Sequence, residues 1–357
     1  MKKVLSIILS FPIVISGFII LPPRISRNGI FLSGALSDKE FEIESVALKT
    51  GVSFEVLSRF PSKKGLQKPP LIFVHGSFHS AWCWTEKWME FFVERDYPVL
   101  AISLRGTNGS FAGDGVTKVK IDEHAADIQA FLYTLNQTKE YTTSNRPILI
   151  SHSFGGAAVM KYMETFPAEL DSLSASIFLC SVPPSGNGPM TMRFLRRSLI
   201  QSWKITSGFA LKKCIQNADL CRDLFFGGPK IETVIQKEDG SVETTVHDYG
   251  VSDDDIKRYQ SYFERDTAAT IDVSDFVKQL PSKKWNNGKA PFISDLPPCL
   301  VCGATRDFLV DQEGVDETAK YFGVESVFID SPHDVMLGEK WQEGADVIFE
   351  WLESKGL

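Results

Sequence analysis

Short apolar runs alternate with segments of helical spacing along this chain, and no other feature limits its fold more tightly. LIFVHG (71–76), YPVLAISL (97–104), PILISH (147–152) and LSASIFLCS (173–181) read as buried strands. Residues 84–95, 121–136 and 154–166 carry apolar side chains at helical spacing; Ile121, Ala125, Ile128, Phe131 and Leu132 fall on one face. Continuously apolar strands separated by helices predict an α/β fold, a mostly parallel sheet flanked by helices. Ahead of this run, 41–49 and 52–60 predict a hairpin over Thr50-Gly51. The alternation stops at residue 183. It resumes with strand 298–303, helix 314–322, strand 326–330 and helix 339–354. One sheet domain is therefore expected in two parts, 38–182 and 296–357, with an insertion over 183–295 and a leader over 1–37.

Charge is unevenly distributed along the 357 residues. The net value of −7 excludes a nucleic-acid binder, which needs a basic face. Residues 1–37 hold Lys2, Lys3, Arg24 and Arg27 and no acid, leaving 34 basic against 45 acidic residues in the rest. Residues 4–21 are uncharged and mostly apolar behind two lysines, the layout of a signal peptide or short anchor. The acid-free FIILPPRISRNGIFLSGALS that follows is laid out like a transit peptide, so the leader predicts entry to the secretory route or an organelle such as a plastid.

The chemistry centres on SHSFGG, residues 151–156. Ser153 stands between a predicted strand and a predicted helix, on a turn that would push its hydroxyl above the sheet. Small residues at 151, 155 and 156 allow the backbones to approach closely there. HGSFHSAWCW (75–84) follows strand 71–75, where acyl-transfer enzymes of this plan place an oxyanion donor; the backbone N–H groups of Ser77 and Phe154 are the expected pair. Asp307, in GATRDFLVD, and His333, in SPHDVML, each follow a later strand and so share the C-terminal sheet edge with Ser153. His333 would take the proton of Ser153, and Asp307 would orient the imidazole, with Asp311 and Asp334 as competing acids. His75 and His79 straddle a strand end without a third ligand, so no metal is expected. The stretch GTNGSFAGDG (106–115) lacks dinucleotide spacing, and no cofactor is implied.

These motifs, in the order Ser, Asp, His, resemble the α/β-hydrolase fold superfamily over about residues 40–182 and 296–357. The 75–84 run is similar to the H-G-x-x-H-x-A-W-x-W loop of plant methylesterases, hydroxynitrile lyases and related bacterial esterases. ISLRGTNGS, LCSVPPSGN and SPHDVMLGEKW resemble plastid-type α/β hydrolases of plants and algae. The resemblance implies a serine esterase or lipase-like enzyme, with Ser153, His333 and Asp307 as the triad and a small-molecule ester as partner. It departs from the usual G-x-S-x-G at Ser151. Dehalogenases and epoxide hydrolases of this fold use Asp where Ser153 stands, and a hydroxynitrile lyase would place a lysine where Arg306 lies. A small-ligand receptor on the same fold and a lyase are the alternatives.

In this fold such an insertion usually forms a lid. Residues 190–213 hold six basic residues, no acid and many large apolar side chains. They predict a helix that packs on the core, receives an apolar substrate group or touches a membrane surface. Residues 231–249 predict a hairpin at Asp239-Gly240, and 252–263 a helix capped by Ser252. Cys214 and Cys221 are a candidate disulfide in an oxidising compartment, and Cys299 and Cys302 are read as core residues. His124, mid-helix, and His247, in the hairpin, are read as structural, and His152 as lining the back of the sheet.

Overall fold

A computed structural model describes residues 41–62, 68–137, 146–228, 231–237, 241–247, 251–280 and 288–357. The leader expected over 1–37 and the turn at Asp239-Gly240 lie outside the described residues. The chain enters as the hairpin β1 (Glu42–Ala47) and β2 (Ser53–Arg59), then β3 (Leu71–Val74), two short helices α1 (Trp82–Thr85) and α2 (Trp88–Val93), and β4 (Val99–Ile102). The two-residue β5 (Lys118–Val119) precedes α3 (Ile121–Asn136), β6 (Ile148–His152), α4 (Phe154–Thr165) and β7 (Ala175–Leu179).

Between β7 and the next sheet strand lie α5 (Asn187–Arg197), α6 (Leu199–Lys204), a π-helical turn over Ile205–Ala210 and α7 (Ala218–Phe225). The hairpin β8 (Ile231–Gln236) and β9 (Val242–His247), α8 (Asp253–Asp266), β10 (Thr270–Ile271) and α9 (Val273–Gln279) follow. The sheet then closes with β11 (Cys299–Ala304), α10 (Gln312–Phe322), β12 (Ser326–Ile329) and α11 (Trp341–Ser354).

The main sheet has eight strands in the order β1-β2-β4-β3-β6-β7-β11-β12. The β1–β2 and β2–β4 pairs are antiparallel and all others parallel, with Leu71 opposite Val99 on one side of β3 and Ile148 on the other. Strands β3, β4, β6, β7 and β11 are buried throughout, which is why they read as unbroken apolar runs. From β3 the chain steps outward to β4; from β6 it steps the other way through β7, β11 and β12. Chain direction therefore splits between β3 and β6, and the carboxyl ends of these two strands open the crevice where open sheets form sites.

Several contacts join the insertion to the core. Strand β10 pairs in parallel with β5. Arg193 of α5 makes a bidentate contact with Asp311, at 2.6 and 2.7 Å, ahead of α10. Aromatic rings of α7 and α8 pack on the 75–84 loop: Phe78 against Phe225 and Phe263, and Trp82 stacked on Tyr259. The run 190–213 is thus not one helix. It breaks at Ser198, whose backbone is extended (φ −157°, ψ 114°) while its hydroxyl accepts the N–H of Gln201 to start α6. Cys214 and Cys221 stay separate buried thiols, and burial pushes Cys214 up to about 12. Among the described residues no helix is long and apolar enough to cross a membrane.

Candidate active site

Ser153 ends β6 with φ 52° and ψ −120°, a conformation that costs a non-glycine residue about 1–3 kcal/mol. Its neighbours hold it there. The Ser153 N–H donates to Leu179 O at 2.9 Å, and its carbonyl accepts from Gly156 N at 3.0 Å and Val182 N at 3.1 Å. Three close approaches depend on missing side chains. A Cβ on Gly76 would lie 2.8 Å from Cβ of Ser153. On Gly155 it would lie 2.4 Å from the His75 carbonyl, and on Gly156 2.1 Å from Oγ of Ser181. The serine at 151, where glycine is usual, is accommodated because its hydroxyl donates to Ile177 O at 3.1 Å across the strand pair.

His333 and Asp307 are placed together. The imidazole Nδ1 lies 2.8 Å from Asp307 Oδ2, and both side chains are buried. The other carboxylate oxygen of Asp307 accepts the backbone N–H of Leu309 at 2.7 Å and Val310 at 2.9 Å. Burial opposes the charged form of His333, but the charge and hydrogen bond of Asp307, with Asp334 behind, outweigh it and raise the pKa. The competing acids are engaged elsewhere. Asp311 caps α10 and binds Arg193, while Asp334 Oδ2 lies 2.9 Å from His79 Nε2.

Three further groups surround this pair. His152 does not line the back of the sheet. Its Nε2 donates to the His333 carbonyl at 2.9 Å, and the two rings lie 4.7 Å apart, which brings His333 against the residue preceding Ser153. Burial, with the nearby charge of His333, pushes His152 down to about 3, so it stays neutral. Burial, with the nearby charge of Asp307, pushes the Cys180 thiol well up. His152, Cys180 and His333 set ligand-type atoms within 4.8 Å of one another. The Cys180 thiol suits a metal poorly, because burial holds it protonated. His79 is the residue that spacing rules overlook. Its value lies in a contact with a residue 255 positions away, which no local pattern reveals.

A cavity of about 360 Å³ opens beside the elbow. Ser77 and Phe154 both line it; Ser153 and His333 do not. The N–H of Phe154 heads α4 and has no intrahelical acceptor, so it is available to a ligand atom. The walls are mainly apolar, with Phe78, Leu104, Val119, Phe209 and Ile271 among them. Among the polar members, His75 is satisfied at both nitrogens, by the Gly76 carbonyl at 2.8 Å and the Leu104 N–H at 2.9 Å. His124 differs: it is buried, it lines the cavity, and its Nδ1 has no partner among the described residues. Burial pushes it down to about 3, so it is neutral.

This sheet, with a serine elbow at its switch point, defines an α/β hydrolase, and the chain belongs to the alpha/beta hydrolase family, whose model matches residues 71–347. It is 28% identical over 139 residues to norfluorocurarine synthase 1 of a Strychnos species, covering 39% of this chain and 47% of that protein. It is 31% identical over 143 residues to methylesterase 10 of Arabidopsis thaliana, covering 39% and 46%. The matches thus span about half the length of these curated relatives. A solved epoxide hydrolase of Vigna radiata superposes with a TM-score of 0.59 at 17% identity over 90% of this chain and 100% of that one, a likeness of fold.

Proposed function

We propose that the protein is a serine hydrolase of carboxylic esters acting through an acyl-enzyme. The observation that carries this reading is the buried His333–Asp307 pair, at 2.8 Å, set against the residue preceding a strained, elbow-borne serine. In this mechanism Asp307 fixes the proton on Nδ1 of His333, leaving Nε2 as the base. His333 takes the Ser153 proton as Oγ attacks the ester carbonyl, then returns it to the departing alkoxide. The Ser77 and Phe154 N–H groups hold the oxyanion. Water, activated by the same imidazole, releases the acid and restores Ser153.

The substrate is a largely apolar ester, because apolar side chains form most of the cavity wall. The 183–295 insertion acts as the lid through Phe209, Ala210 and Ile271. The leader over 1–37 would carry the protein to the secretory route or a plastid.

Hydrolysis of p-nitrophenyl esters by the purified protein, with Ser153→Ala alongside, tests the reading. The substitution is expected to lower kcat by about 10³-fold or more. Equal rates for both proteins would remove Ser153 from the chemistry. One observation favours a second reading, a hydrolase-fold receptor: neither Ser153 nor His333 lines the cavity. Ligand binding without turnover in both proteins would support it.

A further inference from the structure

Most amphipathic helices on a globular protein turn apolar residues inward and polar ones outward. Helix α5 is apolar on both sides, and α6 turns its apolar residues outward and buries only Ser202. Met190 and Phe194 of α5 are buried in the body. On the outer side stand Met192 and Leu195 of α5, and Leu199, Ile200 and Trp203 of α6. Leu199, Ile200 and Trp203 are 74%, 71% and 62% exposed, values that place nearly whole apolar side chains in water. The spacing within each helix puts its exposed members on one face: 192 and 195 in α5; 199, 200 and 203 in α6. Leu211, 63% exposed, continues the apolar surface past the π-helical turn. Isolated exposed apolar side chains need no explanation, but a cluster within twenty residues marks a contact surface.

Charge identifies the occupant. Residues 187–218 contain six basic side chains and no acid; Arg193 and Arg197 pair with Asp311 and Glu313, and Lys204 with Asp223. Arg196 and Lys213 are exposed within this stretch. A second copy of the chain would bring the same basic face and be repelled. The segment 1–37 is also basic and acid-free, so it is no better matched. Apolar side chains with an exposed tryptophan among basic residues match the headgroup boundary of an anionic bilayer: rings and aliphatic groups enter the interface while the cations meet lipid phosphates. The same stretch also supplies Asn187, Phe209, Ala210 and Lys212 to the cavity wall. We infer that the α5–α6 face docks the protein on an anionic lipid surface, with Leu199, Ile200 and Trp203 inserted and Arg196 and Lys213 over the phosphates. This surface does not depend on the chemistry assigned to Ser153.

The test uses the full chain with vesicles of phosphatidylcholine containing about 30% phosphatidylglycerol, and with phosphatidylcholine alone. Lipids brominated on the acyl chain report tryptophan insertion. The expected result is quenching of native fluorescence by the anionic vesicles, with the Trp203 component absent in Trp203→Phe. Leu199→Ser/Ile200→Ser/Trp203→Ser is expected to weaken vesicle partitioning by about tenfold or more. Arg196→Gln/Lys213→Gln should reduce the preference for anionic vesicles. All five residues are exposed, so the melting temperatures of these variants should match the parent. Three results would overturn the inference. One is vesicle binding with no Trp203-dependent quenching, which would assign the contact to another segment. The second is a concentration-dependent dimer abolished by the triple variant. The third is an unaltered partition coefficient in the triple variant.

Discussion

Helices α4 and α5 are close in length, and they are held by opposite means. In α4 every residue from Phe154 to Met163 is buried, and Gly155 and Gly156 press its first turn onto β3 and the β7 loop. In α5 only Met190 and Phe194 are buried, and the outer surface is tied down by Arg193 and Arg197 to Asp311. The first helix is fixed by close packing, which resists any added atom. The second rests on two apolar anchors and partly exposed ion pairs, which hold loosely and tolerate change. The rigid helix follows Ser153, the proposed nucleophile; the loosely held one begins at the cavity.

The most severe test of this contrast is Gly155→Ala. The new Cβ would sit 2.4 Å from the His75 carbonyl oxygen and 2.7 Å from that of Val74, both backbone atoms of the central sheet region. A loss of about 3 kcal/mol or more is expected in denaturant titration. An unchanged midpoint would show that α4 is not packed as described.

Acid should act on the core next. Burial lowers His75 to about 4, and His124 and His152 to about 3. Between about pH 6.5 and those values the unfolded chain binds protons that the folded one refuses, so stability falls as pH falls. The slope is on the order of 1 kcal/mol per pH unit for each histidine. His333, whose pKa is raised, has the opposite sign: its contribution is complete below the unfolded pKa and is lost as pH rises through the folded value. Three against one predicts a lower melting temperature at pH 5 than at pH 7. A flat profile would contradict the burial of the neutral imidazoles. The mildest change is Gly188→Ala in α5, where nothing lies within 4 Å of the new Cβ. Better helix propensity should raise stability by a few tenths of a kcal/mol, and a loss would show that α5 is packed more closely than α4 makes it look.

The same contrast explains which parts of the molecule were legible in sequence. Strands β3, β6 and β7 are buried on both faces, so composition alone marks them. Helix α3 is legible because one face is apolar and Glu123 reaches back to the Lys120 N–H at its start. The break at Ser198 was encoded too, since serine followed three residues later by glutamine is a helix-start signal. The apolar spacing ran through it and concealed it. The β5–β10 pairing has only two residues per strand and leaves no periodicity to read. At the site, local pattern places Ser153 at a strand end, whereas the His79–Asp334 contact joins a loop to a segment 255 residues later. Long-range side-chain pairing has no local signature, and for this reason spacing could exclude a metal at His75 and His79 but could not find the partner of His79. Likewise nothing near Asp307 in sequence announces its bond to His333.

That last pairing has a consequence for the order in which the molecule comes to exist. The elbow, its glycine-bearing loop and most of the sheet are encoded before residue 182, so a growing chain can assemble them first. Asp307, His333 and the Asp334 partner of His79 are then still unmade. Contacts of such sequence separation close late, after the loop between them has been organised. The nascent chain therefore passes through a stage with a finished serine turn and no His333 beside it, and the proposed chemistry can begin only when the final strands have joined the sheet.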